Sequence, residues 1–288
     1  MNKLKAVAMS TLVLSVASKS YAFDGHPGDY LWLPDHSAVA LIYGQYQSAD
    51  SFKVDGGNTV PKSKLEAATS IVRGVYFRDL GGVKTSFQFF VPAGEFRTAR
   101  VGGVDQTTSN GIGDLTVGAT IYPLASMEPT GTTLGITAFL TAPTGQYDVR
   151  DVSIGGGAWV FTPQLGMTQG LGHGFYLDAY LDVAFRRDST DRGIKDSVDP
   201  ATQLQTYLRY QFNPTDSLTF GYSGRYGGKR YLDDDYTGTK TRNDQLRLFA
   251  GKWISATSQI EGMLGRDINV KGGFKNDYVV QLRLAKLF

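Results

Sequence analysis

The sequence contains no cysteine, which excludes a disulfide framework, cysteine-liganded zinc, iron–sulfur clusters and a thiol nucleophile. Histidine is nearly absent as well, with three residues, so imidazole metal sites and imidazole general bases have little material. No charge surplus exists: 29 Lys and Arg face 27 Asp and Glu, for a formal +2, far from the basic footprint of a nucleic-acid binder. After residue 22 no stretch approaches the roughly 18 consecutive apolar residues of a membrane-spanning helix. Glycine (35 residues) and aromatics (12%) are plentiful. A length of 288 residues suits two ordinary domains or one large all-β domain. Mean hydropathy of -0.20 reads as soluble by composition alone, a reading that the order of the residues reverses.

Residues 1–22 have three parts: Lys3 and Lys5, an apolar run from Ala6 to Ala17, and Ser20-Tyr21-Ala22. This is the order of a cleaved secretory signal, with the cut expected after Ala22. The apolar run is too short to span a bilayer, which takes roughly 20 helical residues. Removal of Lys3, Lys5 and Lys19 leaves the remainder near neutral.

From His36 onward the chain alternates with period two. Phe175, Leu177, Ala179, Leu181, Val183 and Phe185 form one face, and Tyr176, Asp178, Tyr180, Asp182, Ala184 and Arg186 the other. A helix would mix these sets. Twelve such segments are expected, near residues 36–47, 64–78, 83–96, 113–122, 132–142, 157–169, 174–187, 201–212, 217–229, 243–254, 259–268 and 277–288. Short turns at 79–82, 170–173, 213–216 and 255–258 alternate with long loops at 48–63, 97–112, 143–156, 188–200 and 230–242. That asymmetry, with strands longer than the usual five or six residues, fits an antiparallel transmembrane β-barrel of outer-membrane type better than a soluble sandwich. The alternating strand ending at Phe288 resembles the signal read by the barrel assembly machinery, with Lys286 departing from it at a usually apolar position. The expected organisation is a signal peptide at 1–22, an N-terminal extended segment at 23–35 as a candidate lumen plug, and the barrel at 36–288.

Four motifs strengthen this reading: His26-Pro27-Gly28-Asp29-Tyr30 with Leu33-Pro34, Asn110-Gly111-Ile112-Gly113-Asp114-Leu115, Pro143-Thr144-Gly145-Gln146-Tyr147-Asp148, and Thr162-Pro163-Gln164-Leu165-Gly166. Their order and spacing resemble the outer-membrane "meta-pathway of phenol degradation" family of transporters. The resemblance implies a barrel that admits hydrophobic or aromatic solutes. The glycines and prolines also suit sharp turns at strand ends.

Catalysis is not expected. His26, His36 and His173 all lie outside mid-strand positions, none faces a nearby serine, and no Gly-x-Ser-x-Gly elbow occurs. No cofactor or metal is expected either. The informative polar residues are those opposite the lipid face, because a charge facing hydrocarbon costs about 2–4 kcal/mol. Arg73, Lys84, Asp114, Asp178, Asp182, Arg186, Arg209, Arg225, Arg247, Glu261, Asp267 and Arg283 are therefore expected to line the lumen, with Tyr180, Tyr207, Phe249 and Trp253 adding aromatic faces. Acids on the seventh and eleventh strands are expected to pair with arginines on the eighth, ninth, tenth and twelfth. Twelve strands lie between the filled lumen of eight and the aqueous channel of sixteen, so a constricted pore is expected. The sequence thus reads as a monomeric channel of a Gram-negative outer membrane for passive uptake of small solutes, aromatic or hydrophobic ones among them. The alternative is a non-conducting structural or surface-interaction barrel. Implied partners are outer-membrane lipid and lipopolysaccharide, a small-molecule solute and the assembly machinery; nucleic acid is not one.

Overall fold

The computed structural model describes residues 24–126 and 128–288; the expected signal peptide, residues 1–22, lies outside them. Twelve strands form a closed antiparallel ring: β1 (Ala38–Ala49), β2 (Lys64–Leu80), β3 (Val83–Val101), β4 (Thr116–Ala125), β5 (Thr132–Thr141), β6 (Val160–Gly172), β7 (Phe175–Arg186), β8 (Ala201–Gln211), β9 (Asp216–Gly227), β10 (Arg242–Ser255), β11 (Ser258–Lys271) and β12 (Tyr278–Leu287). Each strand pairs with the next, and β12 closes on β1 from Val39↔Leu287 to Ser48↔Tyr278. Closure matters because hydrocarbon offers no hydrogen bonds to an open edge.

Alternation decides which way each strand faces. Ile42, Val72, Phe89, Val117, Ile136, Leu165, Leu181, Leu208, Phe220, Leu248, Leu264 and Leu282, one from each strand, are exposed on the outer wall. A continuous apolar band of this kind marks a lipid-facing surface. The protein is an all-β outer-membrane barrel. Thr85 departs from the alternation read from the sequence: it shares parity with outward Phe87 yet is buried, its hydroxyl folded back onto the Val83 carbonyl at 3.1 Å.

Glycine permits the tightest reversals at the short-turn end. Gly81 and Gly82 both have positive φ (65° and 92°), a region open to glycine at little cost. The long loops at the opposite end carry their own small sheets. Ser189–Asp191, Ile194–Val198, Arg230–Leu232 and Asp235–Tyr236 form one four-stranded sheet from two different loops. A second core lies beneath the loops, where Phe52 meets Phe274 edge to face at 5.2 Å between centroids, beside Leu65, Val101 and Val152.

The fourth strand starts at Thr116 rather than near 113. Asp114 explains the shift: its two carboxylate oxygens accept the backbone N–H groups of Gly145 (2.8 Å) and Gly156 (2.6 Å), which draws the chain off the ladder. Gly111–Ile112 instead makes a separate two-residue rung on β3. The third strand runs on to Val101, paired with β2 as far as Lys64↔Arg100.

Candidate functional site: the occupied lumen

The site begins with a turn. His26-Pro27-Gly28-Asp29 reverses the chain, with Asp29 N–H bonded to the His26 carbonyl at 3.0 Å and Gly28 at φ +81°. Proline at the second position and glycine at the third are what a type II turn demands. The Asp29 side chain accepts the His26 backbone N–H at 3.1 Å. Residues 24–33 thereby fold into a compact piece that lies inside the ring, with wall residues of most strands around it.

Asp24 is held from the upper half of the wall. Its Oδ1 accepts hydrogen bonds from Gln203 (2.7 Å), Gln205 (3.2 Å), Arg225 (2.8 Å) and Arg247 (3.1 Å). Just below, Tyr207 donates to the Gly25 carbonyl (3.0 Å) and Tyr180 to the His26 carbonyl (2.8 Å). The His26 ring meets Glu261 at 2.6 Å and stands edge-on to Phe249. Asp29 bridges Arg73 (2.7 Å) and Arg283 (3.3 Å). The Tyr30 hydroxyl donates to Gln164 (2.8 Å) and shares a hydrogen bond with Thr137 (2.7 Å). Nearest the short-turn end, Trp32 packs edge to face on Phe77 and Tyr122, with the Lys84 ammonium 5.9 Å from its ring.

Several of the arginines therefore have partners that strand-to-strand pairing did not supply. Asp178 does meet Arg209 at 3.2 Å, and Glu261 meets Arg283 at 3.2 Å, as expected of the seventh, eighth, eleventh and twelfth strands. Arg225 and Arg247, on the ninth and tenth, instead meet Asp24. Asp182 receives only Gln164 at 3.0 Å, and its Oδ1 has no partner among the described residues. Asp267 accepts from Gln245 (2.8 Å) and the Asn276 backbone (2.7 Å). Two candidates belong to the loop end: Asp114 holds loop backbone, and Arg186 bonds the Asp196 carboxylate at 2.9 Å and the Gly156 carbonyl at 3.1 Å. Trp253 is half-buried beside the lower cavity.

Buried guanidinium–carboxylate pairs of this kind cost several kcal/mol per ion in desolvation, offset only by good geometry and further hydrogen bonds. Their strength lies in specificity, since removal of one partner strands the other. Alternation exposed the wall half of this network, but the segment half is aperiodic. The one local signal was two acids and a tyrosine flanking Pro27-Gly28 in a chain otherwise short of turns before its first strand.

The segment divides the lumen. Above it, a cavity of about 190 Å³ is bounded by Asp24, Arg225, Arg247 and Phe249 and roofed by loop residues including Arg230, Lys240 and Phe274. Below it, a cavity of about 280 Å³ is bounded by Leu31, Leu33, Leu41, Phe77 and Trp253, with Arg209 and Arg283 at its inner end. No group of three or more His, Asp or Glu stands in a metal-binding arrangement among the described residues.

Residues 49–284 match the protein family described as "Putative MetA-pathway of phenol degradation". Among solved structures, an outer membrane channel from Pseudomonas putida F1 is similar with a TM-score of 0.83 and 26% identity, covering 92% of this chain and 100% of that one. The transport unit of the autotransporter AIDA-I from Escherichia coli shares the fold alone, with a TM-score of 0.51 and 10% identity over 98% of this chain and 97% of that one. No curated protein matches the chain.

Proposed function

The chain belongs to this phenol-degradation family, and from that premise we propose that it is an outer-membrane channel through which small hydrophobic or aromatic solutes pass passively. The observation that carries the reading is the pair of cavities, one on each side of residues 24–33, each with an apolar wall and a guanidinium wall. A single aromatic ring fits such a space, since a cavity of roughly 150 Å³ accepts benzene. The similarity to an outer membrane channel over nearly the whole chain supports the same reading.

Passage then requires only that the segment shift, because the wall is a closed ladder. The polar contacts of Asp24 and Asp29 set how firmly the segment sits, and the aromatic surfaces of Tyr180, Tyr207, Phe249 and Trp253 offer faces on which a ring stacks in transit. No covalent chemistry is assigned to any residue. In this reading residues 1–22 direct export and are removed, and the apolar band contacts outer-membrane lipid and lipopolysaccharide as a monomer.

The test is solute flux. Purified protein in lipopolysaccharide-containing vesicles is expected to speed entry of benzyl alcohol, and a deletion strain to grow more slowly on dilute aromatic carbon sources. Absence of flux for every small solute, with unchanged growth of the deletion strain, overturns the channel and leaves a structural barrel.

A further inference from the structure

We infer that the upper cavity is a binding site for the anionic headgroup of an amphiphilic solute, an arene or aliphatic carboxylate, and that this carboxylate competes with Asp24 for Arg225 and Arg247. The inference rests on the channel reading and narrows its substrate class.

The wall of the upper cavity presents five cations, Arg225, Arg230, Lys240, Arg242 and Arg247, and one carboxylate, Asp24. The acids that neutralise the other cations stand outside that lining. Asp196 meets Arg230 at 2.7 Å, Asp55 meets Lys240 at 2.6 Å, and Asp244 meets Arg242 at 3.1 Å. Arg225 and Arg247 have only Asp24 between them as an ion-pair partner in these contacts. Two guanidiniums thus share one directly bonded carboxylate among the described residues, and the next carboxylates of the wall, Asp182 and Asp267, act on Arg225 through space without forming an ion pair with it. Arg225 gives Asp24 a single bond, from Nη2, and lines the cavity, where a carboxylate is the natural ligand for a guanidinium.

Accessibility separates Asp24 from the other acid of the segment. Its side chain is 37% exposed, against 12% for Asp29, while Arg247 is 6% exposed. A carboxylate that sits at the cavity surface, on guanidiniums that are themselves buried, is exchangeable for another carboxylate arriving from the same side. The same lining includes apolar Phe249, beside Arg247 on β10, with Met263 and Val270 on β11 and Phe274 beyond it, which suits the hydrocarbon part. Exchange at Asp24 removes the ionic part of the upper hold and leaves the bonds of Gly25 and His26 to Tyr207, Tyr180 and Glu261, so the solute loosens the segment that obstructs it.

The probes are benzoate and benzyl alcohol, close in size and different in charge, applied to the full exported protein in bilayers and, by calorimetry, in detergent. Benzoate is expected to bind at least tenfold more tightly than benzyl alcohol and to raise channel conductance. Arg225→Gln is expected to lose the preference, Arg225→Lys to retain part of it, and Asp24→Asn to bind benzoate several-fold more tightly and to conduct without it. Heat-modifiable migration establishes that each variant is folded, and Asp24→Asn supplies the deciding result if Arg225→Gln does not fold. Equal binding of the two probes, or tighter binding that is indifferent to both substitutions, overturns the inference. If benzyl alcohol still crosses in that case, the channel reading stands; if neither probe crosses, both fall.

Discussion

The Tyr30 ring lies against the bare backbone of Gly166, in the space that a Cβ at that position would fill. Gly135, on the neighbouring strand, is in the same relation to the other edge of the ring. The wall is thus moulded to the segment: two strands lack side chains where one tyrosine of the segment rests, and the Tyr30 hydroxyl then reaches Thr137 and Gln164 on the same two strands.

Gly166→Ala is expected to push Tyr30 off its seat while leaving the ladder intact, since alanine suits an extended strand. Overpacking of this kind costs about 1–3 kcal/mol, and that cost falls on the docked segment. Single-channel recordings should show a larger and noisier conductance with unaltered barrel migration on gels. A conductance equal to that of the unsubstituted protein would show that Tyr30 is not part of the constriction.

Deleting residues 24–33 tests the segment as a whole. The two cavities then join, and conductance should rise severalfold. The same deletion removes Asp24 and Asp29, leaving Arg225, Arg247, Arg73 and Arg283 with fewer counter-charges, so the enlarged pore should prefer anions. Reversal potentials in a salt gradient measure this; a cation preference contradicts the charge assignment.

Asp29→Asn leaves Arg73 and Arg283 without their shared carboxylate. Breaking a buried ion pair on one side costs on the order of 3 kcal/mol, and Arg283 retains Glu261 at 3.2 Å as partial compensation. The variant should lose its folded gel migration at a lower temperature than the parent. A variant in which Asp29 and Arg73 are both replaced by apolar residues of similar volume, with Arg283 keeping Glu261, should recover much of that loss; failure to do so assigns the effect to packing.

At the loop end, Asp55 is held below the ordinary carboxylate range, chiefly by the hydrogen bond from Lys240 and also by one from Tyr236. A depressed folded-state pKa contributes stability that is present above the unfolded value of about 3.9 and is lost as pH falls through the folded value. Amide exchange at residues 54–58, compared with Asp55→Asn at each pH, should therefore lose its extra protection only in strongly acid solution. A difference between the two proteins that is unchanged at the lowest pH would exclude this clasp.

Strands were legible because a barrel wall has two environments in strict alternation, and Leu181 beside Asp182 or Leu248 beside Arg247 records both. The partners of Arg225 and Arg247 were not legible. They come from a segment without periodicity, more than 200 residues away for Arg247 and Asp24, and nothing in a one-dimensional pattern joins the two. The same holds for Gly166, whose missing side chain has meaning only once Tyr30 is in place. Asp114 was legible as a polar residue and not as a loop fastener, because the glycine N–H groups it binds carry no side chain by which to be noticed.

The four-stranded sheet above the barrel combines residues from the β7–β8 and β9–β10 loops, and Asp196 within it is fastened to Arg186 of the wall and Arg230 of the other loop. What the cell presents at that point is accordingly one composite surface made from two distant stretches of chain. An antibody or phage adapted to it would read a shape, and neither loop synthesised as a separate peptide would reproduce that epitope.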